Sequence, residues 1–140
     1  MRVTGGSSKR VSLAALIAVK PGQRPRLIYR VHAGRGHRKD PRKGFTEADC
    51  ARLPDAAHQQ LSGPVVVVVW DNLDVHVSGA MAGLIAARDW LTVYRLPPYA
   101  HELNPVELVW SHLKRSLANM AKRNIIELTA LVKTRLRRMQ

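Results

Sequence analysis

Asp71 and Glu107 are the two acids whose surroundings suggest chemistry, because each follows a stretch patterned to be rigid. The stretch GPVVVVVWDNLDVH (residues 63–76) runs a block of valines and a tryptophan straight into Asp71 and Asn72. β-Branched residues without polar alternation read as an interior strand covered on both faces. Ligands of open α/β sheets bind outside the carboxyl ends of the strands, so a carboxylate held there is a candidate functional group. Capping a turn is the other common use of an Asp-Asn pair. Glu107 follows Asn104-Pro105, an N-cap residue and a proline suited to the first helical position. Ser111 and Lys114 come at i+4 and i+7 from it, so an acid and a base share one flank of that helix. An early-helix glutamate also complements the helix dipole, an effect worth ~0.3–1 kcal/mol.

The rest of the chain supplies elements that could position these acids. Residues 1–9 are short, polar and glycine-containing, and read as an unpaired start. Residues 10–19 read as a strand, and residues 26–32 as its return. Pro21 and Gly22 between them suit the two central positions of a type II turn. Thr46 and Asp49 match a capping box, which opens a helix expected to bend or break near Pro54. Asp74 reads as a turn residue, and Asp74 and His76 are not expected both to point at the site of Asp71. Ser78 is placed to cap a short alanine-rich helix, and residues 91–96 form a further strand. The alternation strand, helix, strand, helix argues an α/β fold with a parallel portion of sheet. Val106, Val109, Trp110, Leu113, Leu117 and Met120 make an apolar stripe that should face the sheet. A last helix, over residues 124–139, sets Leu128, Leu131, Val132, Leu136 and Met139 against a side bearing Lys133, Arg135, Arg137 and Arg138.

Composition bounds the partners. With 140 residues the chain suits one domain, and its net charge of +13 points to a polyanion. No apolar run approaches a membrane-spanning length and no signal peptide opens the chain, so the expected polyanion is nucleic acid. Cys50 is the single cysteine, which excludes a disulfide framework and a cysteine-based zinc site and suits a reducing cytoplasm. The segment AGRGHRKDPRKG (residues 33–44) carries Arg35, Arg38, Lys39, Arg42 and Lys43. It reads either as a phosphate-contacting arm or as a solvated charge run.

WDNLDVHVS at residues 70–78, followed by LPPYAHELNPVELVWSHLK at residues 96–114, resembles the catalytic domain of bacterial insertion-sequence transposases related to the mariner elements. Those are DDE transposases. The resemblance covers roughly residues 11–117, and its second half is the more specific. It implies a ribonuclease H-like mixed sheet flanked by helices, with three acids holding two divalent ions, Mg2+ or Mn2+. Asp71 would match the second acid and Glu107 the third, both as catalytic residues and metal ligands. Lys114, Arg115 and the basic loop would then meet the DNA backbone.

The implied chemistry has its own physical logic. In-line attack at a phosphodiester is served by two metals about 3.5–4 Å apart, which stabilise the attacking and the leaving oxygen. Hard carboxylate oxygens suit such ions. The resemblance departs at the front, where neither the family's first acid nor its strand, expected between the hairpin and the valine strand, is found after Met1. The expectation is therefore residues 1–140 as a single partial catalytic domain, lacking its first strand, with residues 121–140 a C-terminal basic helix. Double-stranded DNA is the expected partner, with full-length transposase or an upstream-frame product as a second. The alternative is a catalytically inactive remnant that only binds DNA or a full-length partner.

Overall fold

Residues 2–5 pair rather than fray. In the computed structural model, which describes residues 1–5, 9–34, 44–63, 65–118 and 124–140, β1 (Arg2–Gly5) lies antiparallel to β2 (Lys9–Ala18), Val3 opposite Val11. The Met1 amine donates to the Leu13 carbonyl at 2.8 Å and the Leu13 N–H donates to the Met1 carbonyl at 2.7 Å. This two-way bond extends the ladder by one residue and corrects the reading of the start as unpaired for residues 1–5 and 9, residues 6–8 lying outside the described residues. A strand this short is held here because its backbone groups are bonded.

The hairpin follows from its turn. Gln23 N–H donates to the Lys20 carbonyl at 3.0 Å, and Gly22 at φ +77° fills the left-handed position of a type II turn. The turn leads from β2 into β3 (Arg26–Gly34), antiparallel to it with Ala14 opposite Arg30.

Next comes α1 (Glu47–Gln60), opened by the expected capping box. Asp49 N–H donates to Thr46 Oγ1 and Thr46 N–H donates to Asp49 Oδ2, each at 3.2 Å. Of the bend or break expected near Pro54, the break does not occur, since the helix continues through it. Proline there removes one backbone bond, yet Leu53, Pro54 and Ala57 are buried, so packing outweighs the lost bond.

The valine strand is β4 (Val66–Trp70), parallel to β5 (Leu91–Arg95) with Trp70 opposite Arg95. Between them lie α2 (Asp74–Val77), a single turn, and α3 (Gly79–Ala86), capped by Ser78, whose Oγ accepts from Met81 N–H at 3.1 Å. The strand is not covered on both faces. Val66, Val68 and Trp70 are buried, whereas Val65, Val67 and Val69 are 70%, 60% and 54% exposed. The inner face packs on Met81 of α3, Leu91 of β5 and Cys50 of α1. No helix among the described residues packs on the outer face, because the last two helices go to the other sheet.

Those helices are α4 (Val106–Leu117) and α5 (Ile125–Arg137), the latter capped by Asn124, whose Oδ1 accepts from Glu127 N–H at 2.8 Å. Val106, Trp110 and Leu113 of α4 meet Leu128, Val132 and Leu136 of α5 over Val11, Leu13 and Leu27 of the hairpin. α1 covers the opposite face of that hairpin through Leu53, Ala57 and Leu61 against Ala18 and Ile28. Met120 of the expected stripe lies outside the described residues.

The result is a mixed α/β fold with two sheets, ordered β1-β2-β3 and β4-β5. Among the described residues the sheets are not hydrogen-bonded to one another. A cavity of about 580 Å³ opens between residues 12–16 of β2 and residues 68–70 of β4. None of the helices among the described residues is long and apolar enough to cross a membrane.

Candidate active site

Asp71 is the first residue beyond β4, and hydrogen bonds between the ends of the two parallel strands fix its place. Leu96 N–H donates to the Trp70 carbonyl and Asn72 Nδ2 donates to the Leu96 carbonyl, both at 2.8 Å. The Asp71 carboxylate also accepts from Leu73 N–H at 3.5 Å through Oδ1, so the turn-capping role is present as well. α2 then returns His76 to Asp71, with His76 Nδ1 2.8 Å from Asp71 Oδ1. The imidazole lies flat on the Trp70 indole, centroids 4.5 Å apart and planes 9° from parallel. Both contacts fall on Oδ1.

Electrostatics follow this geometry. The His76 hydrogen bond holds the Asp71 carboxyl below its usual range, against the opposing effect of partial burial. Burial alone would lower the pKa of His76, but its hydrogen bonds to Asp71 and Cys50 and their charges outweigh that and push it up to about 9. The pair is therefore a carboxylate and an imidazolium at neutral pH. The buried Trp70 Nε1 finds no hydrogen-bond partner among the described residues.

Glu107 arrives from the other side. Asn104 Oδ1 accepts from Val106 N–H at 3.1 Å and the Asn104 carbonyl accepts from Glu107 N–H at 3.0 Å. The N-cap of α4 is Pro105 rather than the expected Asn104, and the helix begins at Val106; Asn104, one residue earlier, still binds the first helical N–H with its side chain. With Val106 and Trp110 buried in the core, Glu107 is left half-buried on the edge of the stripe.

Asp71 and Glu107 line the same cavity, together with Asp74, His76, Asn104 and Lys114. Of the two residues not expected both to point at Asp71's site, His76 bonds Asp71, while Asp74 lines the cavity without joining Asp71 and His76 in a metal-holding group. The Met1 amine also reaches this cavity, its pKa lowered by burial while the fields of Glu107 and Asp71 act in the opposite sense. Lys114 and Arg115 are exposed in the last turn of α4, and of the two Lys114 lines the cavity. Arg35, Arg38, Lys39, Arg42 and Lys43 lie outside the described residues.

Sequence reasoning missed His76 as the partner of Asp71. The available signal was its place five residues on, beyond a segment too short for anything but one helical turn. Among the described residues no group of three or more His, Cys, Asp or Glu is gathered closely enough to hold a metal ion. A pair of carboxylates opening into a solvent-accessible cavity is nonetheless a donor set that suits one hard divalent cation, which keeps several of its own waters.

Among curated proteins and among solved structures, none matches the chain significantly. The family profile described as DDE superfamily endonuclease matches residues 4–131. That span contains both acid-bearing elements and all five of the helices described, apart from the end of α5. The chain belongs to the DDE superfamily endonuclease family.

Proposed function

We propose that this chain is the catalytic part of a bacterial insertion-sequence transposase related to the mariner elements, cutting and joining DNA strands at transposon ends. The observation that carries the reading is the convergence of Asp71 and Glu107, from a strand end and a helix start, on one cavity. An antiparallel β1-β2-β3 sheet beside a parallel β4-β5 pair, flanked by helices, supports a ribonuclease H-like arrangement.

Asp71 and Glu107 would hold a divalent ion, Mg2+ or Mn2+. When bound, it supplies positive charge against the charge that develops at phosphorus and at the leaving oxygen. The chain's own residues do the remaining work. His76, braced on Trp70, holds Asp71 through Oδ1 and turns the carboxylate toward the cavity. Asn104 anchors the first turn of α4 and so fixes where Glu107 starts. Lys114 lines the cavity and is placed to meet a phosphate of the DNA backbone. Arg115, Arg35, Arg38, Lys39, Arg42 and Lys43 add backbone affinity without base selectivity.

A second reading has a specific observation behind it. Among the described residues no three acids, histidines or cysteines gather closely enough to hold a metal ion, as a DNA-binding remnant of a transposase, acting on DNA or on a full-length partner, would also show. Metal-dependent nicking of supercoiled plasmid separates the two. The catalytic reading expects little or no nicking by the chain alone, nicking once a strand bearing one more Asp is fused to it, and its loss again on Asp71→Ala or Glu107→Ala. DNA binding with no nicking in either form supports the remnant. Robust nicking that survives Glu107→Ala contradicts the proposed role of Glu107.

A further inference from the structure

Arg2 lines the cavity with Asp71, Asp74, Glu107 and Lys114, and among the described residues it joins no ion pair. Three carboxylates share the cavity with it, and none of them takes up its charge. Its backbone is pinned nevertheless. Arg2 stands opposite Ser12 in the β1–β2 ladder, and Met1 before it exchanges two hydrogen bonds with Leu13. An exposed arginine on a fixed backbone keeps its guanidinium available while its starting point is set.

The side from which Arg2 enters follows from strand alternation. Val11 and Leu13 of β2 face α4 and α5, so Ser12 between them faces the opposite side, the one that α1 covers. Directly opposed residues of an antiparallel pair share a face, which puts Arg2 with Ser12 on the α1 side. There its Nη2 lies 4.0 Å from where a Cβ on Gly44 would stand, and Gly44 and Cys50 line the cavity as well. Glu107 and Lys114 come from α4, on the other face of the hairpin. Burial lowers the pKa of the Met1 amine, on which the charges of Glu107, Lys114 and Asp71 also act. Those charges therefore reach the residue next to Arg2.

We infer that Arg2 grips the DNA phosphate held at the Asp71–Glu107 cavity, from the face of the hairpin opposite to Lys114. The inference rests on the proposed DNA-cleaving function and adds a substrate-positioning residue to it. A phosphodiester brings negative charge to a wall that already carries three carboxylates, so it docks only where cations offset them. A guanidinium suits this task, because it is always charged and its planar fork donates two parallel hydrogen bonds to phosphate oxygens. Lys114 adds a point charge from α4, whereas Arg2 also sets the orientation of the phosphate. A phosphate held by Arg2 and a divalent ion held by Asp71 and Glu107 attract one another, so each tightens the binding of the other by the same factor.

The test measures binding of a short DNA duplex and of Mn2+ to the full chain, each with and without the other, the duplex's own uptake of Mn2+ being subtracted. It compares the natural chain with Arg2→Ala, Arg2→Lys and Arg137→Ala, Arg137 being an exposed cation of α5 that does not line the cavity. In the natural chain each ligand should tighten the other by roughly 5-fold or more. Arg2→Ala should bind Mn2+ alone no more weakly than the natural chain and lose most of that coupling. With Mn2+ present it should bind the duplex roughly 10- to 100-fold more weakly, and without Mn2+ its loss should match that of Arg137→Ala. Arg2→Lys, which keeps the charge but not the fork, should recover part of the coupling. No coupling in the natural chain would overturn the inference while leaving the nuclease reading intact. The same holds for an Arg2→Ala loss that is equal with and without Mn2+, for no loss at all, or for weakened Mn2+ binding without DNA. A natural chain that binds neither Mn2+ nor DNA would overturn both.

Discussion

His76 Nδ1 stands 2.8 Å from Asp71 Oδ1 while its ring lies flat on Trp70, so the strand end, its acid and the following helical turn form one unit. Its folded-state pKa of about 9 lies above the ordinary 6.5. The stability this contributes is fully present below pH 6.5 and is lost as the pH rises through about 9. Asp71→Asn should bring the His76 pKa down toward or below 6.5, read by NMR of the imidazole protons, and should flatten the stability profile between those values. An unchanged His76 pKa in that variant would contradict the pairing.

A second ion pair ties α1 to the residues before β5. Arg88 Nε and Nη2 donate to Asp55 Oδ1 and Oδ2 at 2.6 and 2.8 Å. The Arg88 hydrogen bond holds the Asp55 carboxyl below its usual 3.8. Its contribution is therefore present above pH 3.8 and disappears as the pH falls through the folded value. The pair is partly exposed, with side chains 19% and 33% accessible, and solvent screening limits it to about 1 kcal/mol. Asp55→Asn should cost that much in urea unfolding at neutral pH and nothing in acid.

The α4–α5 core should respond very differently from the outer valine face. Leu113 is fully buried between Trp110, Leu128 and the hairpin, and Leu113→Ala should cost roughly 2–5 kcal/mol. Val67 is 60% exposed, and Val67→Thr should stay within about 0.5 kcal/mol. Chemical denaturation of the two variants checks the assignment of faces. A large loss at Val67 would mean that the outer face is covered in solution.

DNA binding should weaken steeply with salt, because the net charge of +13 acts through phosphates rather than bases. Log affinity should fall linearly with log salt. Lys114→Gln should reduce that slope by about one without changing any preference among sequences. Affinity that holds constant from low to moderate salt would contradict this.

Much of the local structure was legible because it rests on short-range chemistry. Pro21-Gly22, Thr46 with Asp49, and Ser78 each form the turn or cap that their residue types favour. The apolar stripe of α4 likewise faces the sheet as its spacing indicates. What failed depended on neighbours distant in sequence. An unbroken run of valines has no polar alternation, so nothing in it distinguishes the buried side of Val66 and Val68 from the exposed side of Val67 and Val69. Pro54 stays within a helix because tertiary packing holds it there. Asp71 and Glu107 could be singled out one at a time, but their shared cavity depends on how β2, β4 and α4 come together. The His76 contact, set by a single helical turn, leaves a weak mark in the sequence.

The most direct test of the central claim is whether Asp71 and Glu107 hold one divalent ion between them, and it requires no turnover. Mn2+ binding to the 140-residue chain, followed by electron paramagnetic resonance of the free ion, should show a site that Mg2+ displaces. Asp71→Asn and Glu107→Gln, each confirmed as folded by circular dichroism, should each weaken it by about tenfold or more. Mn2+ binding by Glu107→Gln indistinguishable from that of the natural chain would contradict the account.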